Sequence, residues 1–283
     1  MKKYLGVFIV FLSLTSCLDQ DVEDRKQIEQ IALGIQQGMQ EGRAYDIQEF
    51  FSPTRFAMRL GDSFYDLPKV ERQITYKILR EVYSDAVNSF MDQIEAFNYK
   101  VDLFDLHEKD GIYRLNYEIT DHSSKYTYNY LVFYLEKDKK DQWRIVNYYN
   151  LLTGFSLGQI GKQQLKDITL ADRTSHQMKV TKARNNVDRA IEIADTGNYS
   201  FAYEVLNYTS KSFLERGNTA YLKVLFASQI SDSLYLKELK WIEKVTPNQQ
   251  SKLLYQCIQN RVENFELEFG ECGDKIKESL KNT

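Results

Sequence analysis

The chain has 283 residues, a formal net charge of −3, 20 Tyr, 16 Phe and only 3 Pro. This aromatic content excludes a disordered or fibrous chain, and the length suffices for two ordinary domains. The slightly acidic balance, without a basic run, leaves nucleic-acid binding no electrostatic footprint.

Met1-Lys2-Lys3 is a basic start, and Leu5 to Ser16 is a run of twelve apolar and small residues. A bilayer span needs about 20 residues, so this run fits the core of a signal peptide. It ends Leu14-Thr15-Ser16-Cys17, which resembles the lipobox of bacterial lipoproteins. The resemblance implies cleavage before Cys17, acylation of Cys17 with palmitate-type chains, and a lipid anchor in the cell envelope. Leu18 stands where an Asp would imply inner-membrane retention, so the resemblance leans towards the outer membrane. Residues 1–16 are then a signal peptide, and residues 17–23 a lipidated Cys with an acidic tether. Loss of Lys2 and Lys3 takes the net charge from −3 to about −5.

Helical spacing of Ile28, Ile31, Ala32, Ile35 and Met39 predicts a helix over 23–40, stopped at Gly42. Tyr45–Phe51 reads as a short second helix ended by Ser52-Pro53. Leu67-Pro68 opens a long third helix to Phe97, with Val70, Ile74, Ile78 and Val82 among its apolar positions.

From Tyr99 to Leu152 the pattern changes to four Tyr-, Phe-, Val- and Ile-rich strands joined by polar turns. Strand side chains alternate between faces, so the turn positions fix a register. Turns near Lys109, Ser123 and Lys139 gather Tyr99, Val101, Leu103, Tyr113, Leu115, Tyr117, Ile119, Leu131, Phe133, Leu135, Trp143, Ile145, Tyr149 and Leu151 on face one. Asn129 and Asn147 are its main polar interruptions. Face two collects tyrosines among charges, including Tyr128, Tyr130, Tyr134 and Tyr148. A Tyr ring with a polar tip suits a half-wet contact surface. This surface packs either on the protein's own C-terminal helices or on a partner.

Three helices followed by a curved antiparallel meander define an α+β layer architecture. Residues 24–157 resemble the NTF2-like, cone-shaped superfamily. The likeness lies in element order, in Tyr126-Thr-Tyr-Asn-Tyr-Leu-Val-Phe, and in Arg144-Ile-Val-Asn-Tyr-Tyr before Thr153-Gly154. It implies three helices filling the concave side of a four-stranded antiparallel sheet. Ketosteroid isomerase, a member, works with carboxyl groups and a Tyr inside the cone. Here the register puts only Asp105 on the inner face, at a strand end. Asp46, Glu49, Asp85 and Asp92 lie on helices, and His107, His122 and His176 fall in turns or a linker. No catalytic residue, metal site or cofactor is therefore expected. Asn129, Asn147, Tyr117 and Tyr149 are the candidate lining of a small neutral pocket, or else a buried hydrogen-bond set.

Residues 158–283 read as helices. Ala190, Ala194, Gly197, Tyr199, Ala202 and Leu206, then Tyr235, Leu239 and Ile242, then Gly270, Cys272 and Ile276, resemble a degenerate tetratricopeptide (TPR) repeat. That resemblance implies stacked helix pairs that bind peptides or proteins; an ordinary bundle is the alternative. Treating Ser251–Phe269 as one helix separates Cys257 from Cys272, so no disulfide is expected. The combined expectation is a non-catalytic, membrane-anchored scaffold module that binds another envelope protein. A small-molecule binder or enzyme using the cone is the alternative.

Overall fold

A computed structural model of the chain describes residues 22–43, 47–60, 62–96, 100–120, 128–169, 174–264 and 270–282. Residues 1–21, with the signal, Cys17 and most of the tether, lie outside the described residues, as do Asp46, Tyr99, His122 and the side chains of Asp85, Asp92 and His176; Val22 and Glu23 of the expected tether are helical. Among the described residues no helix is long and apolar enough to cross a membrane.

The fold is mixed α+β. Helices α1 (22–40), α2 (Pro53–Met58) and α3 (Lys69–Ala96) precede β1 (Lys100–Lys109), β2 (Ile112–Thr120), β3 (Tyr128–Lys137), β4 (Trp143–Asn150) and β5 (Phe155–Ser156). The strands form one antiparallel meander in sequence order. Helices α4 (Leu157–Thr169), α5 (Thr174–Asp195), α6 (Tyr199–Asn207), α7 (Gly217–Ile230), α8 (Asp232–Val245), α9 (Gln249–Glu263) and α10 (Gly270–Lys281) follow.

The sheet is the middle layer of three. On face one, Ile28, Ile35 and Met39 of α1, Phe56 of α2, Leu79 of α3 and Leu165 of α4 pack on Leu115, Tyr117, Phe133 and Ile145. On face two, Tyr130, Val132, Tyr149 and Leu151 pack on Val224 of α7, Leu239 of α8, Tyr255 and Ile258 of α9, and Ile276 of α10. A third cluster joins α5, α6 and α7 through Ala190, Ala202, Leu206 and Phe226. Each cluster removes apolar surface from water, which is what holds the layers together. The C-terminal helices thus share a core with the sheet.

Two helix expectations change. Ser52-Pro53 starts a helix and does not stop one: Ser52 Oγ accepts from Arg55 N at 3.3 Å, and Pro53 occupies the first turn, where its missing N–H costs nothing. Residues 50–52 instead pair with the outer edge of β4, through Ile145 N to Phe50 O at 2.7 Å. In α3 the buried stripe is Thr75, Leu79 and Tyr83, whereas Val70 and Ile74 are 67% and 57% exposed. The four-residue period is as the sequence implies, but the inward face is one residue further on.

Candidate functional site

The β2–β3 register is as the alternation predicts, with Tyr117 opposite Leu131 and Leu115 opposite Phe133. Two bulges break the other ladders. One falls between Leu103 and Asp105, the other between Ile145 and Asn147 opposite Tyr134/Leu135. A bulge inserts an unpaired residue and reverses the facing of everything beyond it. Asp105 therefore leaves face one and pairs with Asn116 on face two. Asn147 and Tyr149 also move to face two, while Tyr148 turns inward to pack on Phe133.

The predicted pocket quartet is consequently divided. Tyr117 is fully buried on face one, and its hydroxyl donates to Ala32 O at 2.8 Å. Asn129 is buried, and its Oδ1 accepts from Tyr130 N at 2.8 Å and Leu152 N at 3.2 Å. Asn147 Oδ1 accepts from Gly158 N at 2.9 Å, in the first turn of α4. Tyr149 hydroxyl meets Ser251 Oγ of α9 at 3.0 Å on the opposite face. The amide that joins Asn129 is Asn150, whose Oδ1 accepts the same Leu152 N–H at 3.0 Å. These amides satisfy the backbone where it leaves the sheet, the usual requirement for buried polar groups.

The tyrosine quartet is split as well. Tyr130 is fully buried, and Tyr128 and Tyr134 are half-buried against the C-terminal helices. Tyr128 and Tyr134 also take guanidinium contacts, from Arg261 at 5.3 Å and Arg114 at 5.4 Å respectively. Tyr148 belongs to the other core, where burial pushes its hydroxyl up to about 12. Of the two readings of this surface, the structure supports packing within the chain.

Several polar groups at the junction of sheet and helices are paired. Glu118 accepts from Tyr130 hydroxyl at 3.0 Å and meets Lys277 Nζ at 2.7 Å. Asp105 Oδ2 lies 2.7 Å from both Asn116 Nδ2 and His107 Nδ1. His107 is thus half-buried and paired. Within the helices, Glu238 is buried beside Tyr203 hydroxyl at 2.7 Å and Lys223 Nζ at 3.0 Å, and that ammonium lies 4.7 Å above the Trp241 ring. Among the described residues no His, Cys, Asp and Glu group has the composition and proximity of a metal site.

The cysteines overturn an expectation. Cys257 and Cys272 form a disulfide, with Cα atoms 5.9 Å apart. Helix α9 ends at Glu263 with Asn264 as its C-cap, and α10 returns so that its first turn lies beside Cys257. A single helix to Phe269 would have held them apart.

An open concavity that sequence reasoning missed lies between α4 and the segment 212–219. It is a groove of about 570 Å³ lined by apolar Phe155, Ile160 and Phe213 and by polar Gln159, Lys162 and Arg216. Its wall is set by Arg216, which grips Asp167 with two nitrogens at 2.7 and 3.3 Å while lying 4.5 Å over Phe213. A bidentate Arg–carboxylate pair fixes orientation as well as distance. The sequence signal was Phe213-Leu-Glu-Arg216, but only the fold brings it to α4. Comparison with family models and with curated proteins gave no match.

Proposed function

We propose that the chain is a lipid-anchored envelope protein that binds another protein and is not an enzyme. The observation that supports this most is the filling of face one of the sheet. Tyr117, Leu115 and Phe133 meet Ile28, Ile35, Met39 and Phe56 directly, with the Tyr117 hydroxyl spent on Ala32 O. Side chains of the protein thus occupy the place where an NTF2-like cone would hold a ligand.

The proposed fold relationships rest on element order and packing. Helices α1, α2 and α3 on face one of an antiparallel meander support the NTF2-like reading of residues 24–157. Three successive pairs, α5–α6, α7–α8 and α9–α10, with Ala190, Ala202, Tyr235 and Ile276 buried at their contacts, support the TPR-like reading of residues 158–283. The anchor rests on the Leu14–Cys17 lipobox. The Cys257–Cys272 bridge suits an exported, oxidising location, and outer-membrane placement rests on Leu18. The groove at Phe213 and Arg216 is the partner site, since a lining that mixes apolar Phe155, Ile160 and Phe213 with charged Lys162, Glu215 and Arg216 suits an amphipathic peptide segment.

The test is mass spectrometry of the full chain purified in mild detergent from its own membranes. A diacyl or triacyl Cys17 with a stoichiometric protein partner, lost in Phe213→Glu at unchanged melting temperature, supports the reading. A retained small molecule without a partner overturns it in favour of the carrier alternative.

A further inference from the structure

Helix α1 is a strut pinned at both ends. Near its start, Asp24 Oδ1 accepts from Trp143 Nε1 at 3.3 Å and lies 2.8 Å from Lys137 Nζ, where β3 and β4 meet their turn. At its end, Gln40 Nε2 donates to Val101 O at 2.8 Å, at the beginning of β1. Nineteen helical residues at 1.5 Å each span about 28 Å. Nine steps of a strand such as β3 span about 30 Å, so α1 traverses the sheet from one end to the other. Between its pins Ile28, Ala32, Ile35 and Met39 are buried, so the strut is fixed along its length.

The starting end carries both tight turns. Asp110 and Gly111 turn β1 into β2 with φ of 56° and 75°, and Asp141, with φ of 60°, closes the β3–β4 turn. Lys109, Lys139 and Lys140 are exposed there. Of the acidic neighbours, Glu108 Oε1 accepts from Gly111 N at 3.2 Å, Asp138 Oδ1 accepts from Lys140 N and Gln142 N at 2.7 and 3.1 Å, Asp141 lies 3.1 Å from Lys137 Nζ, and Asp110 is exposed in the β1–β2 turn. The opposite end carries Lys100, Thr120 and Tyr128, which the register sets in one row.

We infer that the two-turn end of the sheet, with Lys109, Lys139 and Lys140, faces the lipid surface, and that the Lys100–Thr120–Tyr128 end faces away from it. The inference rests on the lipobox reading of Cys17. Five residue steps lead from Cys17 to Val22 in sequence, which at most about 3.6 Å each allow about 18 Å of tether. That reach is shorter than the sheet. The strut's start therefore stays within about 18 Å of the bilayer, and with the sheet standing on its two-turn end the far row lies about 30 Å beyond that end. Lys139 and Lys140 meet lipid headgroups first, where each Lys near an anionic surface is favourable.

The experiment uses the full acylated chain reconstituted in phosphatidylethanolamine–phosphatidylglycerol vesicles with a rhodamine-headgroup acceptor. A donor dye is placed at Lys140→Cys or, separately, at Lys100→Cys, with Lys139→Cys as a second near position should the first disturb the turn. Transfer from positions 139 and 140 well above that from position 100 is expected. Equal transfer, or stronger transfer from position 100, on a chain whose intact mass carries acyl groups overturns the orientation while leaving the anchor standing. An intact mass with unmodified Cys17 removes the anchor and the orientation with it.

Discussion

Glu118 of β2 lies 2.7 Å from Lys277 of α10, and its other oxygen accepts the Tyr130 hydroxyl at 3.0 Å. This carboxylate ties the last helix to the sheet above a buried aromatic ring. Tyr130→Ala removes both the ring and the bond. A buried aromatic truncated to Ala costs about 3–5 kcal/mol. Tyr130→Phe removes only the hydroxyl, at about 1–2 kcal/mol. Urea unfolding followed by circular dichroism is expected to give that order, with the Phe variant retaining the full native signal. Equal losses would mean that the bond, and not the packing, holds this face.

Gly154 follows the sheet with φ of 72°, and a Cβ there would run into Thr246 Oγ1 and lie 3.1 Å from the Tyr255 hydroxyl. Gly154→Ala therefore carries two penalties, positive φ at about 1 kcal/mol and overpacking at about 1–3 kcal/mol. Thr246→Ala in the same chain should relieve the second and leave the first. A double-mutant cycle in melting experiments is expected to show coupling of at least about 1 kcal/mol between these sites.

On α3, Val70→Lys and Ile74→Lys should each change stability by less than about 0.5 kcal/mol, because both side chains are already in water. Leu79→Ala, at a fully buried site, should cost about 2–5 kcal/mol. Chemical denaturation of the three variants checks which stripe of this helix faces the sheet.

That stripe shows how far the sequence could be read. The strand-rich middle was legible because Tyr113 to Ile119 and Leu131 to Leu135 alternate cleanly, and their pairing is the one alternation implies. The bulges were hidden by local ambiguity. Tyr148 and Tyr149 are both aromatic, so either could face inward, and their neighbours Ile145-Val146 read as apolar in both registers. The same adjacency at Leu103-Phe104, followed by apolar Leu106, was the available sign of the first bulge. For the candidate site, Tyr117 and Asn129 were correctly placed on face one, but Asn147 and Tyr149 were carried across by the bulge. The groove was illegible because Arg216 and Asp167 are 49 residues apart and meet only through tertiary packing.

The Cys257–Cys272 bridge closes a loop of 15 residues. Constraint of the unfolded chain by a loop of that size contributes about 3 kcal/mol. Cys257→Ala with Cys272→Ala should therefore lower the melting temperature by several degrees, and reduction of the unmutated chain should do the same. Hydrogen exchange is expected to rise first in α10, since Ile276, Leu280 and the Lys277–Glu118 pair then hold it without covalent help. A loss confined to α5 and α6 would contradict this placement of the bridge.

High pH should unfold the protein through its buried tyrosines. Burial raises Tyr117, Tyr130 and Tyr255 well above the usual phenol range, and brings Tyr148 and Tyr221 to about 12. An unfolded Tyr releases its proton near 10. Between about pH 10 and 12 the unfolded chain is therefore the form with fewer bound protons, and stability must fall as pH rises. Below pH 10 both forms keep the phenol protonated and this contribution is fully present. Lys137, raised chiefly by its bond to Asp24, acts with the same sign as its ammonium deprotonates. Absorbance at 295 nm and circular dichroism, followed together, should show the buried set ionising in one step that coincides with unfolding. Smooth titration of all 20 tyrosines near pH 10 with the fold intact would show that the two sheet faces are open to water, and would return the tyrosine surface to the role of an external interface.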